Sequence, residues 1–188
     1  MRITGGTLRG RTLAAPSDRR TRPTSDKVRQ AVFNILVHND FGCGFALEGA
    51  AAADLFAGTG AMGLEAISRG GRFCLFVEEA AEARALIREN IETFGLTGVT
   101  KIWRRDATQL GPLGAGAGGP FDLVFLDPPY HKNLLPPALA SLQGGGWLKP
   151  GAILVLECAG DEDIPPTDGY TLLDDRVYGE TKVLFLKA

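Results

Sequence analysis

Apolar positions along this chain recur with two periods, and the switches between them mark out the elements. Val28, Ala31, Val32, Ile35 and Leu36 follow the i, i+3, i+4, i+7, i+8 spacing of an amphipathic helix, with Thr24 or Ser25 placed to cap it. Ahead of it, residues 1–22 set Gly5, Gly6, Gly10 and Pro16 between short runs such as MRI and RTLAA, which predicts a small β-hairpin or extended arm. Residues 39–50 read as a loop. Short apolar runs then alternate with helical segments. ADLFA is followed by the glycine loop and helix of GTGAMGLEAISRGG. FCLFVE precedes AAEARALIRENIETFG, whose Ala83, Leu86, Ile87, Asn90, Ile91 and Phe94 share one face. TKIWRRDA precedes GPLGAGAGGP, which reads as a flexible linker. FDLVFLD precedes NLLPPALASLQ, a helical segment interrupted by Pro136 and Pro137, and GAILVLE is a fifth strand. YTLLDDRVYGETKVLFLKA closes the chain as two runs around a turn at Tyr178 to Glu180, an antiparallel hairpin. The alternation predicts an α/β architecture: right-handed βαβ units and a mostly parallel sheet covered on both faces.

Length and composition narrow the class. A chain of 188 residues, 45% hydrophobic and 22% charged, suits one well-filled core and excludes disordered and fibrous proteins. No apolar run approaches the roughly 20 residues of a membrane-spanning helix, and MRITGGTLRGRTL lacks the apolar core of a secretory signal, so a cytoplasmic protein is expected. Cys43, Cys74 and Cys158 are odd in number and form no C-x-x-C pair, which predicts neither a disulfide framework nor a metal site. Charge is uneven. Residues 1–30 carry eight basic and two acidic residues, +6, and the other 158 carry 12 basic and 20 acidic, −8. An acidic body with a basic arm, residues 1–22 leading into a single compact domain over 23–188, suggests a polyanion met at one end, through Arg2, Arg9, Arg11, Arg19 and Arg20.

Ligands of such sheets lie at the carboxyl ends of the strands, near the reversal of strand order. The segment Asp54-Leu55-Phe56-Ala57-Gly58-Thr59-Gly60-Ala61-Met62-Gly63 sits at the first of these ends. Its glycines satisfy G-x-G-x-x-G, which by itself fits a dinucleotide or S-adenosylmethionine equally well. Charge favours the second. Asp54 would repel a pyrophosphate but attract the ammonium and sulfonium of S-adenosylmethionine. Phe56, Ala57, Gly58 and Gly60 then bring the backbone close to the cofactor. Glu78, ending the second strand beside Glu79, can accept both ribose hydroxyls, while Asp106 and the Ala107 N–H suit the adenine.

The fourth strand ends in Asp127-Pro128-Pro129-Tyr130. An exocyclic amino group on a nucleobase is a weak nucleophile because its lone pair is delocalised into the ring. It must pyramidalise to attack, which places positive charge on its hydrogens, and two acceptors favour that change. Asp127 supplies one, and the carbonyl of Pro128 supplies the other while Pro129 helps fix the turn. Tyr130 can stack on a base drawn out of its helix or loop. No cysteine adjoins this segment, so covalent catalysis is not indicated.

D-P-P-Y is the motif of amino-methyltransferases acting on adenine N6, cytosine N4 or guanine N2. Together with MRITGGTLRGRTL, RPTSDKVRQAVFNIL, DLFAGTGAMGLEAISRG, FVE, RDA and YGETKV, it makes almost the whole chain resemble the RsmD family of small bacterial 16S ribosomal RNA guanine-N2 methyltransferases. The resemblance implies a Rossmann-like, seven-stranded methyltransferase fold with an antiparallel C-terminal hairpin and S-adenosylmethionine as methyl donor, with no metal. It implies a substrate RNA in assembled or partly assembled small ribosomal subunits, met by a monomer. It also places Arg22 and Thr24 near the cofactor, with Asp127 between cofactor and substrate. An adenine-specific amino-methyltransferase is the alternative within the motif, and a nicotinamide-dependent oxidoreductase or a non-catalytic cofactor-binding module the alternative outside it.

Overall fold

A computed structural model describes residues 1–16, 25–163 and 168–188. Seven strands form one sheet: β1 (Ala51–Leu55), β2 (Phe73–Val77), β3 (Thr100–Trp103), β4 (Phe121–Leu126), β5 (Leu148–Ala159), β6 (Thr171–Tyr178) and β7 (Thr181–Lys187). Their spatial order is β3-β2-β1-β4-β5-β7-β6. The first five run parallel, and β7 is antiparallel to both β5 and β6. The strand order reverses between β1 and β4, so the crevice expected of a doubly wound sheet opens there.

Helices α1 (Asp26–His38), α2 (Ala61–Ser68) and α3 (Ala81–Phe94) cover one face, and α4 (Leu135–Gly144) covers the other. Ser25 caps α1, its hydroxyl accepting from the N–H of Val28. The apolar stripe of that helix docks through Val28, Val32, Phe33 and Leu36, with the Phe33 ring 5.5 Å from that of Phe125. Strand residues alternate between the two cores: Phe125 and Val155 face α1, while Leu126 and Leu156 face α4.

Two expectations are corrected. Pro136 and Pro137 do not interrupt a helix but lie in the first turn of α4, where the missing N–H groups cost nothing. The glycine-rich segment 111–120, though mostly exposed, is anchored at several points rather than a free linker. Ala117 is buried, Gly111 accepts from the indole N–H of Trp147 at 2.8 Å, and Leu113 N–H donates to Gly145 at 2.8 Å. A Cβ on Gly118, whose φ is +88°, would come within 2.2 Å of the Phe73 ring, so a side chain there is excluded by space and by backbone.

The arm closes as a small hairpin, with Arg2 bridged antiparallel to Thr12 and Ile3 and Leu13 buried in the helical face of the core. It is fastened to α2. Thr7 N–H donates to Ser68 O at 2.7 Å, and Thr4 donates to the Glu65 carboxylate through its N–H at 2.8 Å and its hydroxyl at 2.7 Å. Among the described residues no helix is long and apolar enough to cross a membrane.

Candidate active site

Register brings the expected residues to one level. Leu55 pairs with Val77 on one side and Leu126 on the other, and Leu126 pairs with Leu156. The next residues, Phe56, Glu78, Asp127 and Glu157, therefore stand in a row along the carboxyl edge of the sheet, spanning the reversal of strand order. Neighbouring strands are about 4.8 Å apart, so adjacent members of this row are within side-chain reach.

The glycine loop crosses above β1. Phe56 adopts φ +60°, and Gly58 and Gly60 have φ +55° and +77°. Gly60 and Gly63 have no room for side chains: a Cβ at Gly60 would meet the Phe76 ring at 3.1 Å, and one at Gly63 would meet it at 2.4 Å. Gly58 is different, because a Cβ there would meet only its own loop's Phe56 carbonyl, at 3.9 Å. It fronts an open cradle, which fits a ligand lying against the backbone.

Glu78 closes the loop from β2. Its carboxylate accepts from Gly58 N–H at 2.9 Å and from Ala80 N–H at 2.8 Å, and a carboxylate keeps further lone pairs for vicinal hydroxyls. Glu79 is exposed. The carboxylate facing the loop is therefore that of Glu78. Asp106 caps a 3₁₀ turn over Ala107–Gln109, accepting from the Thr108 N–H at 2.8 Å and its hydroxyl at 2.7 Å, with Ala107 buried beneath it. Helix capping thus occupies one Asp106 oxygen, a use that spacing alone does not distinguish from ligand binding.

Asp54 lies under the loop, buried, accepting from Gly63 N–H at 2.9 Å. Burial pushes its carboxyl up to about 8, the Gly63 bond opposing and the Glu78 charge reinforcing. The folded carboxyl keeps its proton up to that pH, whereas in the unfolded chain it ionises near 3.8. The native state thus binds more protons between these values, and its stability falls as pH rises through that window. Asp54→Asn should remove this slope, as measured by urea denaturation across pH. A cation bound above the loop would favour the ionised form.

Asp127 follows Phe125 on the α1 side, half-buried, and lines with Glu157, Val32, Met62 and Val155 a hollow of about 230 Å³. Pro128 is buried and Pro129 exposed. Tyr130 lines an adjoining open hollow of about 330 Å³. Its hydroxyl donates to Glu157 Oε1 at 2.8 Å and lies 3.1 Å from Thr181 Oγ1. Burial, chiefly, pushes this phenol far above its ordinary range, and it stays protonated as a donor. His131, at φ +59°, is exposed, and its N–H donates to Glu162 Oε1 at 2.9 Å. The motif is therefore braced from β5, β7 and the turn after β5, none of which the pattern of residues around it reveals.

The arm is placed less simply than its charge suggests. Arg2 and Arg9 are exposed, while the exposed Arg11 donates to Thr93 O at 3.1 Å and lies 5.1 Å over the Phe94 ring. Arg19, Arg20, Arg22 and Thr24 lie outside the described residues. Arg29, counted with the basic segment by sequence, is fully buried and paired with Glu65 and Asp26, so it adds nothing to an outward-facing charge. Asn90 of α3 is a further residue that periodicity assigned only to a packing face. It accepts from Ala14 N–H at 2.7 Å and donates to Thr59 O at 3.2 Å, linking the arm to the glycine loop. Cys74 and Cys158 are buried, as expected of small core residues. No cluster that could hold a metal ion occurs among the described residues.

An open glycine loop near a strand-end carboxylate, set at the reversal of a seven-stranded sheet, is the arrangement of a Rossmann-like methyltransferase. A solved Escherichia coli structure, provisionally assigned as a methyltransferase, matches it with a TM-score of 0.82 and 29% identity over 100% of this chain and 97% of that one. The chain belongs to the family described as conserved hypothetical protein 95, the RsmD family, whose model matches residues 1–187. It is similar to ribosomal RNA small subunit methyltransferase D of Escherichia coli, 32% identical over 182 residues, 96% of this chain and 86% of that protein. A Bacillus subtilis protein, provisionally assigned as an rRNA methyltransferase, is 33% identical over 188 residues, 100% of this chain and 98% of that one.

Proposed function

We propose that this enzyme transfers a methyl group from S-adenosylmethionine to the exocyclic N2 of a guanine in 16S ribosomal RNA, within assembled or partly assembled small ribosomal subunits. The observation that carries the reading is the shared level of Glu78, Phe56 and Asp127 along the carboxyl edge of the sheet, which sets a cofactor cradle beside an acceptor for an amino hydrogen. The relatives named for ribosomal RNA small subunit methylation support the substrate class.

When bound, S-adenosylmethionine supplies an electrophilic methyl group and retains the electron pair of the broken carbon–sulfur bond. Glu78 is assigned the ribose hydroxyls, and Phe56, Ala57, Gly58 and Gly60 the backbone wall against the cofactor. Asp106 and Ala107 are assigned the adenine, and Arg22 and Thr24 the approach from the arm, while Asp54, protonated in the free protein, is assigned a compensating charge only once a cation above the loop draws off its proton. Asp127 and the Pro128 carbonyl accept the two amino hydrogens, draw the nitrogen out of conjugation and hold its lone pair toward the cofactor. The methylated nitrogen becomes cationic and loses its extra proton through Asp127 or to water. Tyr130 holds the base by stacking.

Tritium transfer from labelled cofactor to purified small subunits, followed by nucleoside analysis, tests the reading. N2-methylguanosine is the expected product, and label confined to adenine or to DNA would overturn it. Neutralising Arg9, Arg11, Arg19 and Arg20 together should weaken RNA binding and reduce the slope of log affinity against log salt by about 3. An unchanged slope would remove the arm from the RNA interface.

A further inference from the structure

The arm and the glycine loop meet on one helix. Arg11 of the arm donates to Thr93 O near the end of α3, and Ala14 meets the same helix about one turn back, at Asn90. Asn90 is 2% exposed, and its amide oxygen and both amide hydrogens are engaged. The oxygen accepts from Ala14 N–H at 2.7 Å, while the nitrogen donates to Ala14 O at 3.2 Å and to Thr59 O at 3.2 Å. Thr59 stands between Gly58, which fronts the open cradle, and Gly60, where a Cβ would meet Ile87 of α3 at 3.3 Å. The Thr59 hydroxyl also lies 3.5 Å from Met1 Sδ, at the start of the arm. One side-chain amide thus bonds the backbone of the arm and the backbone of the loop.

A buried amide does not give up part of such a set cheaply, because each group left unmatched in the interior keeps its full desolvation cost. With the arm seated, the two bonds to Ala14 fix the amide plane of Asn90, and its other hydrogen holds the Thr59 carbonyl beside the cradle. With the arm lifted, the amide loses both Ala14 partners, and nothing fixes its plane toward Thr59. We infer that Asn90 is a positioning residue that couples the arm to the cofactor cradle: a ligand on the loop favours the seated arm, and the seated arm pre-shapes the loop. Such coupling is reciprocal, since each site shifts the other by the same factor. The inference rests on the reading above, in which the loop takes S-adenosylmethionine and the arm meets RNA, and adds that cofactor binding readies the arm.

Amide hydrogen exchange on the full chain, with and without saturating S-adenosylhomocysteine, tests the coupling. The Ala14 amide reports seating directly, and those of Ile3, Gly10 and Leu13, which bond within the arm, report its order. In the wild type these amides should slow by about five- to tenfold on ligand binding, beyond any slowing in β6 at the far edge of the sheet, which reports general stabilisation. Asn90→Leu keeps the approximate volume and removes all three bonds. Its dissociation constant for S-adenosylhomocysteine should rise about tenfold, and the ligand-dependent slowing of the arm should vanish. That readout is a ratio with and without ligand, so a general loss of stability does not mimic it. Equal slowing of the arm and β6 in the wild type, or none in the arm, overturns the coupling while leaving the cofactor reading standing. A wild-type ratio retained by Asn90→Leu overturns the role of Asn90. The wild-type comparison decides the coupling even if the variant misfolds. Failure of the wild type to bind S-adenosylhomocysteine at all overturns both.

Discussion

Asp127→Ala is expected to lower methyl transfer by about 10³-fold while S-adenosylhomocysteine binding changes only a few-fold, an effect of the size seen when one pre-set hydrogen-bond partner of a transition state is removed. The asymmetry follows from position. The Glu78 bonds that shape the cradle run to Gly58 and Ala80, and the Asp54 bond runs to Gly63, so none of these depends on Asp127. Asp127 stands on the other side of β1, just past the end of β4. Removing its carboxylate leaves the amino group with the Pro128 carbonyl alone, and the nitrogen stays conjugated with its ring. Asp127→Asn keeps a carbonyl acceptor without the charge and should fall between wild type and alanine. Single-turnover tritium transfer measures the loss, and calorimetry with S-adenosylhomocysteine measures what is retained. Full activity in the alanine variant would refute the role assigned to the residue.

The end of β4 was legible because two prolines after a buried run can only terminate a strand, and a carboxylate at such an end needs a reason. The mostly parallel sheet followed from the alternation of elements and the C-terminal hairpin from one turn, whereas the order of the strands came only with the structure. What escaped the sequence depends on register between strands far apart in the chain. Glu157 lies in β5 and Thr181 in β7, and both meet Tyr130 only once the strands are paired. The proline pair in α4 was misread because prolines in a first turn and prolines inside a helix look alike until the start of the helix is fixed. The burial of Arg29 was not legible for a related reason: a formal charge says nothing of its burial, and its partner Glu65 lies 36 residues away. Asp106 shows the limit of spacing in the other direction, since a strand-end acid serves capping and ligand binding with one geometry.

Glu65→Ala is expected to destabilise the fold by about 3–5 kcal/mol, the usual loss when one partner of a buried ion pair is removed. Glu65 is fully buried on α2, and its two oxygens take four bonds: Oε2 from Thr4 N–H at 2.8 Å and Arg29 Nε at 3.3 Å, Oε1 from the Thr4 hydroxyl at 2.7 Å and Arg69 Nε at 2.8 Å. Arg29 is buried too; it also donates through Nη2 to Asp26 at 2.8 Å and to the carbonyl of Arg2, while its Nη1 has no hydrogen-bond partner among the described residues. Without Glu65, Arg29 keeps among the described residues the Arg2 carbonyl and one counterion, Asp26, whose side chain is 47% exposed, and the arm loses both Thr4 bonds at once. The cost therefore divides into a charge left without its buried counterion and an arm held to α2 by fewer bonds, those to Ser68 remaining. Glu65→Gln keeps the shape and two acceptor lone pairs but not the charge, so it should recover part of the arm and little of the Arg29 loss. Urea denaturation gives the total, and proteolysis in the segment before α1 follows release of the arm. If alanine costs no more than an ordinary surface substitution, about 0.5 kcal/mol, the network does not hold the arm to the body.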